Sequence, residues 1–150
     1  MKTFLLILIV VLAGVYIWHT YFYISTAPLT VSPDAISELQ AYKIKQKFVA
    51  EGTSPGLSNP SLQPTLNDDM NLAANDFATT VNNHGSEQDY LNDITNGLTR
   101  FNSVYINLSP SDKQQIISSF QELMTIVGLK NSHGVFGQWL DDFDASKVVN

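Results

Sequence analysis

Near the C-terminus, Asp141, Asp142 and Asp144 follow Trp139 and flank Phe143. Two carboxyls beside an aromatic platform are the equipment of a carbohydrate-cleaving site: one acid protonates the leaving oxygen and the other serves as nucleophile or base. The same residues also fit a short amphipathic helix that buries Trp139, Leu140 and Phe143 and leaves its acids in water. The second reading needs fewer assumptions, so no catalytic role is assigned. Asp141, Asp142, Asp144, Trp139 and the nearby His133 are kept as partner-binding candidates. Ser86 lies near His84, but a hydrolase nucleophile needs a base and an oxyanion hole arranged around it. No G-x-S-x-G is present, and Ser86 with Asp89 three residues on resembles a helix-capping box. Zinc takes three or four His, Cys or acidic ligands. Beyond the apolar start the chain offers only His84 and His133, and it has no cysteine. Asn131-Ser132-His133-Gly134 is too poor in acids for a calcium loop. No metal and no cofactor are expected.

Arg100 is the single arginine. It stands at helical spacing from Gly97 and Val104, beside an apolar seam rather than opposite it. A guanidinium there suits an ion pair or a carbonyl cap between helices, with Asp76 or Asp93 as partner.

These residues need elements to hold them. The chain has 150 residues, 44% of them hydrophobic, and the apolar share is unevenly spread. Phe4 to Ile24 is apolar or aromatic except for Gly14, His19 and Thr20. As a helix this run spans about 31 Å, the thickness of a bilayer core. It is long for the apolar core of a cleaved signal peptide; Pro28 obstructs cleavage after Ala27, and cleavage after Ala13 would leave Tyr16, Ile17, Trp18, Tyr21, Phe22, Tyr23 and Ile24 exposed at the mature start. Residues 1–24 therefore read as a membrane anchor. Lys2 precedes the run and Lys43 is the next cation, so the positive-inside rule keeps the N-terminus cytoplasmic. Tyr16, Trp18, Tyr21, Phe22 and Tyr23 form an aromatic belt at the outer membrane interface.

Residues 25–32 read as a tether and residues 33–150 as one domain. Ser32-Pro33 opens helix A, about Pro33 to Ala50, with Ile36, Leu39, Ile44 and Phe48 facing inward and Tyr42 beside them. Lys43, Lys45 and Lys47 read as its solvated face. A loop with Gly52, Pro55 and Gly56 follows. Helix B, about Ser61 to Asn82, places Leu62, Leu66, Met70, Ala73, Phe77 and Val81 on one face. Helix C runs from Ser86 to about Ile106 with the seam Leu91, Ile94, Leu98, Phe101, Tyr105, Leu108. Ser109-Pro110-Ser111-Asp112 opens helix D, which ends at Gly128 followed by Leu129. A short closing helix holds Val135, Phe136, Trp139, Leu140 and Phe143. No alternation long enough for a sheet is present. The fold class is all-α: an N-terminal transmembrane helix, then a single compact bundle of four helices plus a short fifth.

Gly97-Leu98-Thr99-Arg100-Phe101, the IISSFQELMTIVGL of Ile116 to Leu129 and the GVFGQWLDDFD of Gly134 to Asp144 resemble a family of short exported bacterial proteins. Lys47-Phe48, Pro55-Gly56-Leu57 and Ala73-Ala74-Asn75-Asp76-Phe77 fit the same pattern. The resemblance covers about residues 41–144. It implies a helical fold and a bacterial source. The family is catalogued only as a domain of unknown function, so no site residue is carried over.

Charge limits the partners. Removing Lys2 from the whole-chain −6 leaves the outer part at −7, with all 14 acids from Asp34 onward. That disfavours nucleic acid, which needs a basic surface, and favours a basic protein partner. The expectation is a bacterial inner-membrane protein, single-pass, with its C-terminal domain periplasmic or extracellular. It binds a protein partner there, and the small size, acidity and location match immunity or inhibitor proteins. The alternative is a small envelope hydrolase of cell-wall carbohydrate using the C-terminal aspartates.

Overall fold

A computed structural model describes Val11, Leu12, Gly14 and residues 24–52 and 54–141. Most of the stretch expected to be an anchor, the expected aromatic belt of Tyr16, Trp18, Tyr21, Phe22 and Tyr23, and Asp142 and Asp144 fall outside the described residues. Among the described residues, no helix is long and apolar enough to cross a membrane. They form an all-helical fold: α1 (Ala35–Ile44), α2 (Gln63–Asn82), α3 (Glu87–Arg100), α4 (Pro110–Val127) and a short α5 (Val135–Asp141). A two-residue antiparallel pair, β1 (Ala50–Glu51) with β2 (Ser54–Pro55), closes the loop after α1. Its residues show no alternation because two residues are too few to show any.

Helix α1 starts at Ala35, two residues later than the expected Pro33, with Asp34 at the N-cap and no side-chain cap bond. Ser32 Oγ accepts from the Asp34 N–H at 3.3 Å, behind the proline. It stops at Ile44, short of the expected Ala50. Ala35, Leu39 and Tyr42 turn inward, while Ile44 is 87% exposed. The cause lies on α2. Gln63, Asn67 and Asn71 stand four residues apart on one face, and all three bind Lys47. The Lys47 N–H donates to Asn67 Oδ1 at 3.3 Å, its carbonyl accepts from Gln63 Nε2 at 3.1 Å, and its ammonium donates to Asn71 Oδ1 at 2.8 Å. These side-chain amides replace the helical bonds that Lys47 would otherwise make. Phe48 then adopts φ +61°, rare for a bulky residue, and reaches the core.

Helix α2 buries Leu66, Met70, Ala73, Ala74 and Phe77, and Pro64 stays in its first turn. In α3 the Ser86 N–H donates to Asp89 Oδ2 at 2.7 Å, one half of the capping box. The expected seam is inward throughout. The α-helix itself ends at Arg100, and two 3-10 turns, Phe101–Ser103 and Tyr105–Asn107, continue it. Helix α4 ends in a Schellman cap: Gly128 has φ +75°, the Leu129 N–H reaches Met124 O at 2.9 Å and the Gly128 N–H reaches Thr125 O at 3.2 Å.

The core is one cluster across α1 to α5. Phe120 sits at its centre, edge-on to Phe101 and tilted against Phe136. Gly97 makes room for it, since a Cβ there would lie 2.7 Å from Phe120 Cζ. Ile24, read as the end of the anchor, and residues 25–31 of the stretch read as a tether lie against the bundle. Ile24, Leu29 and Val31 pack on the core, and the Leu29 N–H donates to Gly85 O at 2.9 Å.

Candidate functional site

Helices α2 and α3 pack as neighbours and carry six acids, Asp68, Asp69, Asp76, Glu87, Asp89 and Asp93, against one cation, Arg100. Arg100 Nη2 lies 2.6 Å from Asp76 Oδ2, with the two side chains 29% and 33% exposed. Asp93, the other partner considered for Arg100, instead accepts from Thr80 Oγ1 at 2.7 Å. One edge of the guanidinium is left over: Nη1 is buried and has no hydrogen-bond partner among the described residues.

Asp69, Asp76 and Asp93 gather about Arg100 along this seam, whereas Glu87 and Asp89 are engaged at the start of α3. Burial first, with the charges of Asp76 and Asp89 adding, pushes the Asp93 carboxyl up to about 6 despite the Thr80 bond and Arg100. Burial also raises Asp69, against the pull of Arg100 and with the push of Asp68. Both carboxylates would hold their charge more easily beside an added cation. The seam is therefore a surface whose ionisation a basic partner would favour.

A second polar feature is the shelf around Lys47. The side chain is 5% exposed, its ammonium donating to Asn71 and to Lys45 O at 3.0 Å and lying 4.4 Å from the Tyr42 ring centroid. Burial lowers this amine to about 8, opposed by the Glu122 carboxylate. Burial raises the Tyr42 phenol, again with Glu122 adding. Lys45 and Glu122 pair at 3.0 Å on the rim of an open cleft of about 520 Å³ lined also by Gln46, Gln114 and Ser118. The Lys47 ammonium is fully used inside the fold, so its geometry is that of a structural cation. Its burial was not foreseen, although the Gln63, Asn67, Asn71 spacing could have signalled it.

Among the described residues, the C-terminal candidates Asp141, Trp139 and His133 have separate surroundings. Asp141 is exposed at the end of α5. The Trp139 ring meets Tyr105 edge-on at 5.1 Å and its Nε1 donates to Asn102 Oδ1 at 3.2 Å, so it braces α5 on the turns after α3. His133 Nε2 lies 3.2 Å from Glu87 Oε1, which ties the α4–α5 loop to the start of α3. His84, in the α2–α3 turn, and His133 each take a positive φ. Among the described residues no group of three or more His, Cys, Asp or Glu is placed to hold a metal ion.

Asp112 was expected only as a first-turn acid. Its side chain is almost fully buried and accepts from the Ser58 and Ser109 N–H groups, each at 2.9 Å. Burial alone raises this carboxyl, but the combined bonds from Ser58 and Ser109 outweigh it and hold it below the usual range. The Ser109-to-Asp112 spacing repeats that of Ser86 and Asp89 and was the available signal.

The chain belongs to the family described as Domain of unknown function (DUF4844), whose model matches residues 30–144. Among solved structures it is similar to the crystal structure of a DUF3571 family protein from Acinetobacter baumannii. The two share 25% identity and a TM-score of 0.65, over 76% of this chain and 94% of the other. No curated protein matches.

Proposed function

We propose that this chain is a membrane-anchored envelope protein whose outward-facing domain binds a basic protein through the α2–α3 seam. Neutralising a toxic enzyme is one form that such binding takes. The observation that carries the reading is the crowding on that seam. Asp69, Asp76 and Asp93 share one arginine, and burial with the repulsion of neighbouring acids raises Asp69 and Asp93. A cationic partner would relieve this repulsion, and binding would then release protons from Asp93 near pH 6. Apolar recognition is a poorer fit, because the exposed large hydrophobics described after residue 24, Ile44, Leu72 and Ile106, lie on three different elements. Membrane attachment is supported by the apolar run Phe4 to Ile24 and by the lysine placement.

The test is capture from envelope extract with the full chain, then titration of the captured protein. The expected partner is basic. Its affinity falls with added salt, falls as pH drops from 7 to 5, and weakens in Asp69→Asn and Asp93→Asn. An acidic partner, or a basic one indifferent to both substitutions, would overturn the proposal.

A further inference from the structure

Residues 24–31 lie on the bundle as a docked strap. Ile24, Leu29 and Val31 pack against the core. The Ser25 N–H donates to Glu87 Oε2 at 3.1 Å, Pro28 bridges Ser86, and the Leu29 N–H donates to Gly85 O at 2.9 Å. The other oxygen of Glu87 faces His133 Nε2 at 3.2 Å, with only 18% and 11% of the two side chains exposed. One carboxylate thus clamps the strap, α3 and the α4–α5 loop together.

All these contacts gather at one end of the bundle: the C-terminus of α2, the N-terminus of α3 and the loop after α4. Helix α2 has 20 residues, so its other end, beside Ser58 and Asp112, lies about 30 Å away. The apolar run of the sequence ends at Ile24, and Ile24 is itself packed on the bundle. No free chain separates the run from the docked strap. A flexible linker of eight residues, by comparison, would add a typical reach of about 15 Å.

We propose that the strap seats the bundle directly on the lipid headgroup layer, with the His84, Glu87, Lys130 and His133 end facing the membrane and the Ser58–Asp112 end facing away. The chemistry of the end suits zwitterionic headgroups. Lys130 and Asp89 are both exposed, so both signs of charge are offered there, while Glu87 and His133 are turned to each other. An acidic bundle on a long tether would drift from an anionic surface; a docked strap fixes its distance and orientation. The α2–α3 seam then stands upright on the membrane, and a partner must approach it from the side or from above. This inference rests on the anchor reading of Phe4 to Ile24.

The chain has no cysteine, so single labels are clean. Asn131→Cys marks the seated end and Ser111→Cys the far end, both at exposed positions. Each full-length variant is fluorescently labelled and reconstituted into phosphatidylcholine vesicles that carry a headgroup-attached quencher. Quenching is expected to be several-fold stronger at 131 than at 111. Inserting eight Gly and Ser residues between Ile24 and Ser25 is expected to bring the 131 signal close to that at 111. Equal quenching at both positions, or no effect of the insertion, in protein whose intact mass retains Met1 to Ile24 overturns the seating alone. An intact mass lacking that segment in native membranes overturns the anchor reading, and the seating with it.

Discussion

Removing the Asp112 carboxylate should weaken the tie between two distant parts of the chain, leaving the Ser58 Oγ to Ser109 Oγ bond at 2.7 Å. The carboxylate oxygens accept from the N–H groups of Ser58, in the loop after β2, and of Ser109, at the start of α4. In Asp112→Ala neither donor has another partner in place. An unmade hydrogen bond at a buried group costs about 1–3 kcal/mol. Ser58 is exposed and water can recover part of its bond, so the sum is roughly 2–4 kcal/mol. Against a typical total of about 5–15 kcal/mol, that is a large fraction. For a domain of this size it corresponds to a fall in Tm of roughly 8–16 °C. Asp112→Asn keeps one acceptor oxygen and should lose about half as much.

The pH profile adds an independent check. The folded carboxyl is held below its unfolded value. Its stabilisation is therefore fully present above the unfolded pKa of about 3.9 and is lost as pH falls through the folded value. Urea melts of the full chain, followed by far-UV circular dichroism between pH 3 and 7, measure both effects. Asp112→Ala should show a shallower loss of stability on the acid side than the parent. A change of under about 0.5 kcal/mol at pH 7, or equal stability of Asn and Asp at 112, would refute the argument that this carboxylate locks the loop to α4.

Three further outcomes follow from the packing. Gly97→Ala drives a methyl into the Phe120 ring and should cost about 1–3 kcal/mol in denaturant melts, with partial recovery when Phe120→Leu is added; no loss would mean that the ring has room to move. Arg100→Lys keeps the charge but loses the guanidinium geometry toward Asp76, and a Tm indistinguishable from the parent would argue against a structural role for the pair. In Lys47 the folded amine sits near 8, below its unfolded value of about 10.4, so the unfolded chain holds more protons between those limits and stability should rise with pH there. Lys47→Met should abolish that rise when melts at pH 7.5 and 9.5 are compared.

Much of the fold was legible along the chain. The seam from Leu91 to Leu108 is inward over its whole length, because each residue occupies the same side of consecutive turns whether the turn is α or 3-10. Helix ends followed local chemistry: proline after a serine, Ser paired with Asp three residues on, and glycine at the left-handed position. The end of α1 was not legible from its own residues. Lysine at 45 and 47 is a good helix former, and only the amides of Gln63, Asn67 and Asn71, brought in by α2, offer the backbone something better. The same limit applies to sites. Trp139, His133 and Asp141 look alike from the sequence, as polar or aromatic residues near a charged end. Tertiary contacts turn the first two inward onto Asn102 and Glu87 and leave the third in water.

By itself, then, the sequence determined the quantities that depend on neighbours a turn away: helical class, caps, the inward stripes of α2 to α4, the acidity and the apolar start. Tertiary structure decided the quantities that depend on residues far apart in the chain. It chose Asp76 over Asp93 for Arg100, buried Lys47, made Asp112 a lock and laid residues 24–31 along the bundle. The physical reason is common to all four. A buried polar group takes whichever partner the packing brings within hydrogen-bond reach, and that reach is set by the fold rather than by spacing along the chain.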